Sequence, residues 1–147
     1  MKIALVCSFG GHLTELQAIS EAFEGHETFY ITYENFRTRE ITKRKYLMES
    51  IDTDPWMMTK AFVRIGTIML KERPDVVVST GSEIAIPAFV WARLLRAETI
   101  FIESWCRVST RSKTGRIVYP LSDLFLVQWP ELIDKYGDKA KHEGAVL

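Results

Sequence analysis

The segment Ser8–His12 has the residue types and spacing that most clearly suggest chemistry. Gly10 and Gly11 would let the backbone approach a ligand closely, and the helix predicted to follow offers free N–H groups to a phosphate or diphosphate. His12 adds a titratable group that can accept a proton or pair with a phosphate. The same spacing also fits an ordinary strand-to-helix turn with a hydrogen-bonded histidine. Neither a G-x-G-x-x-G nor a P-loop pattern is present, which argues against a dinucleotide or nucleoside triphosphate site.

A second candidate loop, Ser79–Ser82, combines hydroxyl groups with a glycine. Thr80, Gly81 and Ser82 could donate several hydrogen bonds to a diphosphate or a sugar, although a capping serine beside a glycine turn would give the same pattern. This loop and the first one both follow predicted buried strands, and the carboxyl ends of parallel strands meet at one edge of a sheet. We therefore expect the two loops to face one crevice and to bind a single ligand.

A third loop begins with Glu103 at the end of a buried strand. A carboxylate in that position can have a raised pKa, which suits a general base or an acceptor for a sugar hydroxyl. A structural carboxylate paired with Arg107 or with a backbone amide is an equal alternative. Four basic residues, Arg107, Arg111, Lys113 and Arg116, could bind phosphate or could simply be solvated. His12 and Glu103 are thus the two candidate catalytic residues.

The elements that must position these loops follow a strand–helix alternation, which is typical of a parallel sheet wrapped by helices. The predicted strands are Lys2–Cys7, Thr28–Thr32, Asp75–Ser79, Thr99–Glu103 and Asp123–Val127, with a sixth at Lys141–Leu147. Several are continuously apolar, as strands covered on both faces should be. The predicted fold class is α/β, a doubly wound Rossmann-like parallel sheet.

Helices are predicted between these strands from apolar spacing and from capping residues. They cover Leu13–Phe23, Pro55–Glu72 with Asp54 as its cap, about Glu83–Arg96, Thr114–Leu121 and Pro130–Tyr136. The segment Asn35–Ser50 is charged and lacks clear periodicity, so we predict a loop with room for one short helix. No repeat or linker interrupts the pattern, and residues 1–147 are predicted to form one domain.

Bulk composition narrows the function classes. The 147 residues include 19 basic and 19 acidic side chains, so no overall positive field favours nucleic acid. Cys7 and Cys106 match neither a disulfide framework nor a zinc motif; they are interpreted as buried thiols in a reducing compartment. No Asp-x-Asp pair or histidine cluster predicts a metal, and no cofactor is predicted. The apolar N-terminal run is too short for a signal peptide or a membrane span, and we expect the chain to start inside the fold.

Two features indicate contact with a membrane surface. The helix that begins at Pro55 is apolar over most of its circumference, although too short to span a bilayer, and a buried core helix is the alternative interpretation. A basic run precedes it and could lie on anionic headgroups. That run comprises Arg37, Arg39, Lys43, Arg44 and Lys45.

Several motifs in this order resemble one family. They are Cys7–Leu13, Ser79–Gly81, Phe101–Ser104, Arg107, Thr114–Gly115, Tyr119–Pro120, Asp123–Leu124 and Val127–Trp129. Together they resemble the asparagine-linked glycosylation protein fourteen family, including prokaryotic polysaccharide-biosynthesis proteins of the PssD and CpsF type. The resemblance covers nearly the whole chain, and Phe36–Met58 is the stretch that resembles the family least.

This resemblance implies the acceptor-side half of a GT-B glycosyltransferase, equivalent to the N-terminal half of such an enzyme. A separate partner subunit would bind the UDP-sugar, and the acceptor would be a polyprenyl- or dolichyl-diphosphate-linked sugar at the cytoplasmic face of a membrane. The resemblance matches Gly10–His12 to the turn that faces the lipid diphosphate and does not decide whether His12 or Glu103 is the base. The segment Lys139–Leu147 resembles the family's C-terminal strand, which is tied to partner docking.

The expected acceptor-binding residues are Ser8, Gly10, Gly11, Thr80, Gly81, Ser82 and Arg107. The expected reaction is an inverting sugar transfer that requires the partner. A noncatalytic membrane adaptor that recruits and activates a self-sufficient glycosyltransferase is the alternative.

Overall fold

Seven parallel strands form one sheet in a computed structural model that describes residues 1–146. In chain order the strands are β1 Lys2–Val6, β2 Glu27–Tyr33, β3 Lys45–Met48, β4 Val76–Ser79, β5 Glu98–Ile102, β6 Leu124–Val127 and β7 Ala140–His142. Their order across the sheet is β3-β2-β1-β4-β5-β6-β7. The direction of winding reverses between β1 and β4, and in open α/β sheets this switch point is where ligands bind.

Six α-helices connect the described strands. They are α1 Gly11–Ala18, α2 Phe36–Arg39, α3 Pro55–Glu72, α4 Ala85–Leu94, α5 Lys113–Val118 and α6 Glu131–Tyr136, with short 3-10 turns at Ser20–Phe23 and Tyr119–Leu121. Asp54 caps α3 by accepting a hydrogen bond from the Trp56 N–H at 2.9 Å, and Pro55 occupies the first helical position.

Helices cover the sheet on both faces, which confirms the doubly wound Rossmann-like prediction. Along β1, Ala4 and Val6 face a core that also contains residues of α3 and α4, whereas Ile3 and Leu5 face a second core beside α1. Successive side chains of a strand point to opposite faces, so a strand covered on both faces must be apolar throughout. This is why β1 and β4 have continuously apolar sequences.

The prediction for Asn35–Ser50 was incomplete. The short helix is present as α2, capped by Asn35, but the segment also contains β3, an edge strand that pairs with β2 from Tyr30↔Lys45 to Tyr33↔Met48. Three of the four β3 residues are only half-buried, so the strand lacks the apolar run that marks the central strands. The Lys45 ammonium donates to the carbonyl oxygen of Thr38 in α2 at 3.2 Å and so joins α2 to β3.

Other boundaries differ by a few residues. The helix predicted at Leu13–Phe23 is α1 followed by a separate 3-10 turn, and the helix predicted from Glu83 begins at Ala85 after a turn. The tail strand predicted at Lys141–Leu147 is β7, and Leu147 lies outside the described residues. Within residues 1–146, no helix combines the length and the apolar character needed to cross a bilayer.

Candidate active site

A cavity of about 640 Å³ opens at the carboxyl edge of the sheet, where the switch point lies. Its walls come from the start of α1, the loop between β4 and α4, and the segment from the end of β5 into α5. The lining residues are Gly11, His12, Glu15, Gly81, Ser82, Glu83, Glu103, Ser104, Cys106, Arg107, Arg111, Ser112, Lys113, Thr114 and Arg116. All three loops singled out in the sequence contribute to this one cavity.

His12 lies on the cavity wall, and a hydrogen bond to the backbone of the second loop selects its tautomer. Its Nδ1 lies 2.9 Å from the Thr80 carbonyl oxygen, which can only accept a hydrogen bond. Nδ1 therefore carries the proton, and the Nε2 of a neutral ring keeps its lone pair. In return, the Thr80 hydroxyl donates to the His12 carbonyl oxygen at 2.6 Å. This reciprocal pair joins the first two loops and leaves one imidazole nitrogen available as a base.

Gly81 makes room for that imidazole ring. A Cβ at this position would lie 2.7 Å from His12 Cε1 and 2.8 Å from Nδ1, closer than side chains can approach. The backbone of Gly81 also has φ +128°, a region that side chains other than glycine rarely adopt. Gly81 is therefore required by the position of His12 as well as by the turn itself.

Ser82 and Glu83 form a hydrogen-bonded group at the start of the next helix. The Ser82 hydroxyl donates to Glu83 Oε2 at 2.7 Å, and the Tyr33 hydroxyl donates to Oε1 at 2.8 Å. Burial alone would raise the pKa of Glu83, but these hydrogen bonds outweigh it and hold the pKa below its ordinary value. Glu83 is therefore a stable carboxylate, and the Ser82 oxygen can still accept a hydrogen bond.

Glu103 is buried and has donors for both carboxylate oxygens. Oε1 accepts from the Ser104 N–H at 3.0 Å, and Oε2 accepts from the Ser112 hydroxyl at 2.8 Å, the Ser112 N–H at 3.2 Å and the Tyr136 hydroxyl. Burial and the bond to Glu103 raise the pKa of Tyr136, which keeps its hydroxyl protonated. A Cβ on Gly115 would lie 2.5 Å from Oε2, so this network needs a glycine in α5. Glu103 organises the loop between β5 and α5.

The remaining predicted site residues divide into two groups. Gly11 and Arg107 line the cavity, whereas Ser8, Gly10 and Thr80 lie behind its lining. Gly10 precedes α1 with φ +82°, and its carbonyl oxygen accepts from the Arg37 guanidinium at 3.1 Å. The loop Ser8–His12 thus presents its final two residues, rather than its whole length, to a ligand.

Cations line one side of the cavity. Arg107, Arg111, Lys113 and Arg116 all contribute to the lining, and within residues 1–146 none of the four lies within 4.0 Å of a carboxylate oxygen. Cations without such partners are available to a ligand that carries negative charge.

Sequence reasoning missed Glu15. It lies in α1 one turn after His12, is only 3% exposed and lines the cavity. Burial raises the pKa of Glu15, although the Trp105 N–H and a nearby His12 oppose the rise. The available signal was a carboxylate four residues before Ile19, which puts Glu15 at the border of the predicted apolar face.

The two thiols have different environments. Burial raises the pKa of Cys7 to about 12, so its thiol is protonated and unreactive at neutral pH. Cys106 is exposed at the cavity, and its interpretation as a buried thiol was wrong. Within residues 1–146, no group of three or more His, Cys, Asp or Glu side chains could hold a metal ion.

A family model described as "Oligosaccharide biosynthesis protein Alg14 like" matches residues 20–146. The UDP-N-acetylglucosamine transferase subunit ALG14 of Rattus norvegicus is 32% identical over 131 residues, covering 85% of this chain and 58% of the relative. The Mus musculus subunit is 34% identical, covering 82% and 57% respectively. This chain therefore spans less than two thirds of the length of these two relatives.

Solved structures share the fold at low sequence identity. The crystal structure of Acinetobacter baumannii MurG matches with a TM-score of 0.81 and 16% identity, covering 97% of this chain and 45% of MurG. The UDP-GlcNAc 2-epimerase of Methanocaldococcus jannaschii matches with a TM-score of 0.75 and 18% identity, covering 99% and 46%. The fold is that of one Rossmann-like half of a GT-B protein, as predicted. From the family model and the two mammalian relatives, this chain belongs to the Alg14 family of oligosaccharide-biosynthesis proteins.

Proposed function

We propose that this chain is the acceptor-binding subunit of a two-component glycosyltransferase and is active only with a partner that binds the nucleotide sugar. The pair would transfer a sugar from a UDP-sugar to a polyprenyl- or dolichyl-diphosphate-linked sugar, and N-acetylglucosamine is the first sugar to test. This step belongs to the assembly of an N-glycan precursor or an exopolysaccharide. The observation that carries the proposal is His12, whose Nε2 has no hydrogen-bond partner within residues 1–146 and which lies on the wall of a cation-lined cavity.

His12 is the general base in this proposal. Its Nε2 accepts the proton of the acceptor hydroxyl while that oxygen attacks the anomeric carbon of the donor sugar. The bond from the anomeric carbon to the UDP oxygen breaks at the same time, and the configuration inverts. Glu103 supports this chemistry by positioning the loop between β5 and α5, since its own oxygens already accept hydrogen bonds from Ser104, Ser112 and Tyr136.

The acceptor diphosphate would be bound by two kinds of group. The backbone N–H groups at Gly11 and His12 begin α1, where the helix dipole favours negative charge. Arg107 and Arg111 would supply the full positive charges from the segment between β5 and α5. The Ser82 hydroxyl donates its proton to Glu83, so its oxygen would accept a hydrogen bond from the acceptor sugar rather than bind the diphosphate. Ser8, Gly10 and Thr80 would support the turns that hold these groups.

The partner would supply the donor-binding half. The mammalian relatives are named as transferase subunits, and this chain matches 45% of the MurG chain. A partner that completes the cleft would close over the carboxyl edge of the sheet, where the cavity opens. We propose that the pair works at the cytoplasmic face of the membrane and that this subunit binds there peripherally.

Co-expression with the nucleotide-sugar-binding partner tests the proposal. The assay combines labelled UDP-N-acetylglucosamine with a polyprenyl diphosphate that carries one N-acetylglucosamine, and follows the extended lipid-linked product. We expect His12→Ala to lower the transfer rate about 10²- to 10⁴-fold, the usual contribution of a general base, without loss of folding. His26→Ala is the matched control because His26 is exposed and bonds the N-terminal amine away from the cavity.

Two results would count against the proposal. Normal turnover by a folded His12→Ala pair would remove His12 as the base. Full transfer by the partner alone, with this chain needed only to bring it to membranes, would favour the noncatalytic adaptor.

A further inference from the structure

Glu15 is a buried carboxylate on the cavity wall to which the proposed chemistry gives no role. Its Oε1 accepts from the Trp105 N–H at 2.9 Å and, more weakly, from the Ser104 hydroxyl at 3.4 Å. Among the described residues, no donor reaches its Oε2, although that atom is buried. One oxygen is therefore fixed by the loop after β5, and the other has no hydrogen-bond donor in the part of the chain that the structure describes.

An unpartnered buried carboxylate oxygen destabilises the protein that contains it. Nearly all buried polar groups have a partner, so the exceptions need a physical explanation. Glu15 lines a cavity large enough to hold a sugar. A ligand in that cavity that donates a hydrogen bond to Oε2 would remove this destabilisation.

We propose that Oε2 of Glu15 accepts a hydrogen bond from the acceptor sugar, given by a hydroxyl or by the acetamido N–H. His12 and Glu15 are three residues apart on α1 and so lie side by side on one helix face. A sugar held by Glu15 presents its neighbouring hydroxyl to Nε2 of His12. This inference rests on the proposed function and adds a residue that positions the acceptor.

Charge sets the orientation of the acceptor in the cavity. A carboxylate at Glu15 repels phosphate, so the diphosphate lies away from the Glu15 side chain, between the N–H groups that begin α1 and the guanidinium groups of Arg107 and Arg111. The sugar then lies beside the side chains of Glu15 and His12. The bond from the Trp105 N–H holds the Glu15 carboxylate in place before the acceptor arrives, which favours tight and selective binding.

The test compares Glu15→Gln with the wild-type chain in the co-expressed pair, using the same UDP-N-acetylglucosamine and polyprenyl-diphosphate acceptor. The glutamine carbonyl oxygen can keep the bond from the Trp105 N–H, but its NH₂ group cannot accept a hydrogen bond from the sugar. We expect the KM for the acceptor to rise about ten- to a hundredfold, as for loss of a hydrogen bond to a charged group. The KM for UDP-N-acetylglucosamine should stay unchanged.

A matched control is Gln17→Ala, an exposed residue of α1 that is not part of the cavity lining. A second measurement needs no variant: the wild-type pair is assayed with acceptors that each lack one hydroxyl or the acetamido N–H. For the wild-type pair, one of these acceptors should raise the KM as much as Glu15→Gln raises it for the intact acceptor. When that acceptor is used with the Glu15→Gln pair, the KM should rise no further.

The inference is overturned if Glu15→Gln leaves the acceptor KM unchanged, if it raises both KM values equally, or if no acceptor with a missing donor binds more weakly. Failure of the wild-type pair to transfer sugar at all would instead overturn the proposed function. The two failures are therefore distinguishable in one set of assays.

Discussion

The three acidic residues that line the cavity differ in their hydrogen-bond donors, and this difference separates their roles. Glu103 accepts from Ser104, Ser112 and Tyr136. Glu83 accepts from the hydroxyls of Ser82 and Tyr33, whereas one oxygen of Glu15 has no donor within residues 1–146. A carboxylate saturated by protein donors stabilises structure, and one with a free oxygen can bind a ligand. On this basis we propose that Glu103 is a positioning residue.

Glu103→Gln should lower the free energy of unfolding by about 1–3 kcal/mol, because one carboxylate oxygen becomes an NH₂ group that faces donors from Ser104 or Ser112. Urea denaturation of the purified chain measures this change. Tyr136→Phe is the milder companion variant: it removes one hydrogen bond and leaves the Ser112 donors in place, so about 1 kcal/mol is expected. Equal or greater stability of Glu103→Gln would contradict the structural role.

Sequence reasoning found the three loops and missed part of what they do. His12 and Glu103 were identified because each follows a readable strand. The contacts that distinguish them are not local: His12 bonds to Thr80, 68 residues away, and Glu15 bonds to Trp105, 90 residues away. No spacing rule along one helix reveals a hydrogen bond from a loop ninety residues later. The contacts of the site residues can therefore be seen only in the folded structure.

At the scale of elements, the central strands were predictable and the edge strand was not. β1 and β4 are buried on both faces, so their sequences are continuously apolar and are easily identified as central strands. β3 pairs only with β2, is half-exposed and follows a charged segment, so its sequence resembles a loop. Helix starts were predicted best where a cap is present, as at Asp54, and worse at α4, which has no capping side chain.

Packing between α3 and α4 depends on Gly66. A Cβ at Gly66 would lie 2.8 Å from Trp91 Nε1, and that nitrogen donates to the Phe62 carbonyl oxygen at 2.9 Å. Gly66→Ala should gain about 1 kcal/mol of helix propensity but lose about 1–3 kcal/mol through overpacking. We therefore expect no gain in stability and a net loss of up to about 2 kcal/mol, measured by urea denaturation.

Thr67→Ala is the control for this prediction, because Thr67 is exposed on α3 and its hydroxyl only donates back to the Val63 carbonyl oxygen. Its effect on the free energy of unfolding should be small or slightly favourable. An increase in stability for Gly66→Ala that matches the control would show that Trp91 can move without cost.

At the scale of the whole molecule, the two edges of the sheet have different surfaces. The carboxyl edge carries the cavity and exposed aromatic residues in the segments that follow β1, β2, β3 and β5, namely Phe9, Phe36, Trp56 and Trp105. At the amino edge, Glu72 bonds to Arg44 at 2.9 Å and to Lys2 at 3.3 Å. Arg44 belongs to the predicted basic run, and because it pairs with Glu72 at the amino edge, the run does not lie on a single edge of the sheet.

The partner would cover the cavity after β1, β4 and β5, which leaves the β2–β3 side of the carboxyl edge for the membrane. If that side lies on the membrane, its exposed aromatic residues should insert into the interface. Phe36 is 72% exposed and Trp56 is 67% exposed, and burial of such a side chain contributes about 1.5–3 kcal/mol. The double variant Phe36→Ser with Trp56→Ser should therefore bind at least about tenfold more weakly to vesicles of equal parts phosphatidylcholine and phosphatidylglycerol in a sedimentation assay. Leu94→Ser, which alters a side chain that is 65% exposed at the far end of α4, is the control and should bind like wild type. Equal losses in both variants, or none in either, would mean that the carboxyl edge does not face the lipid.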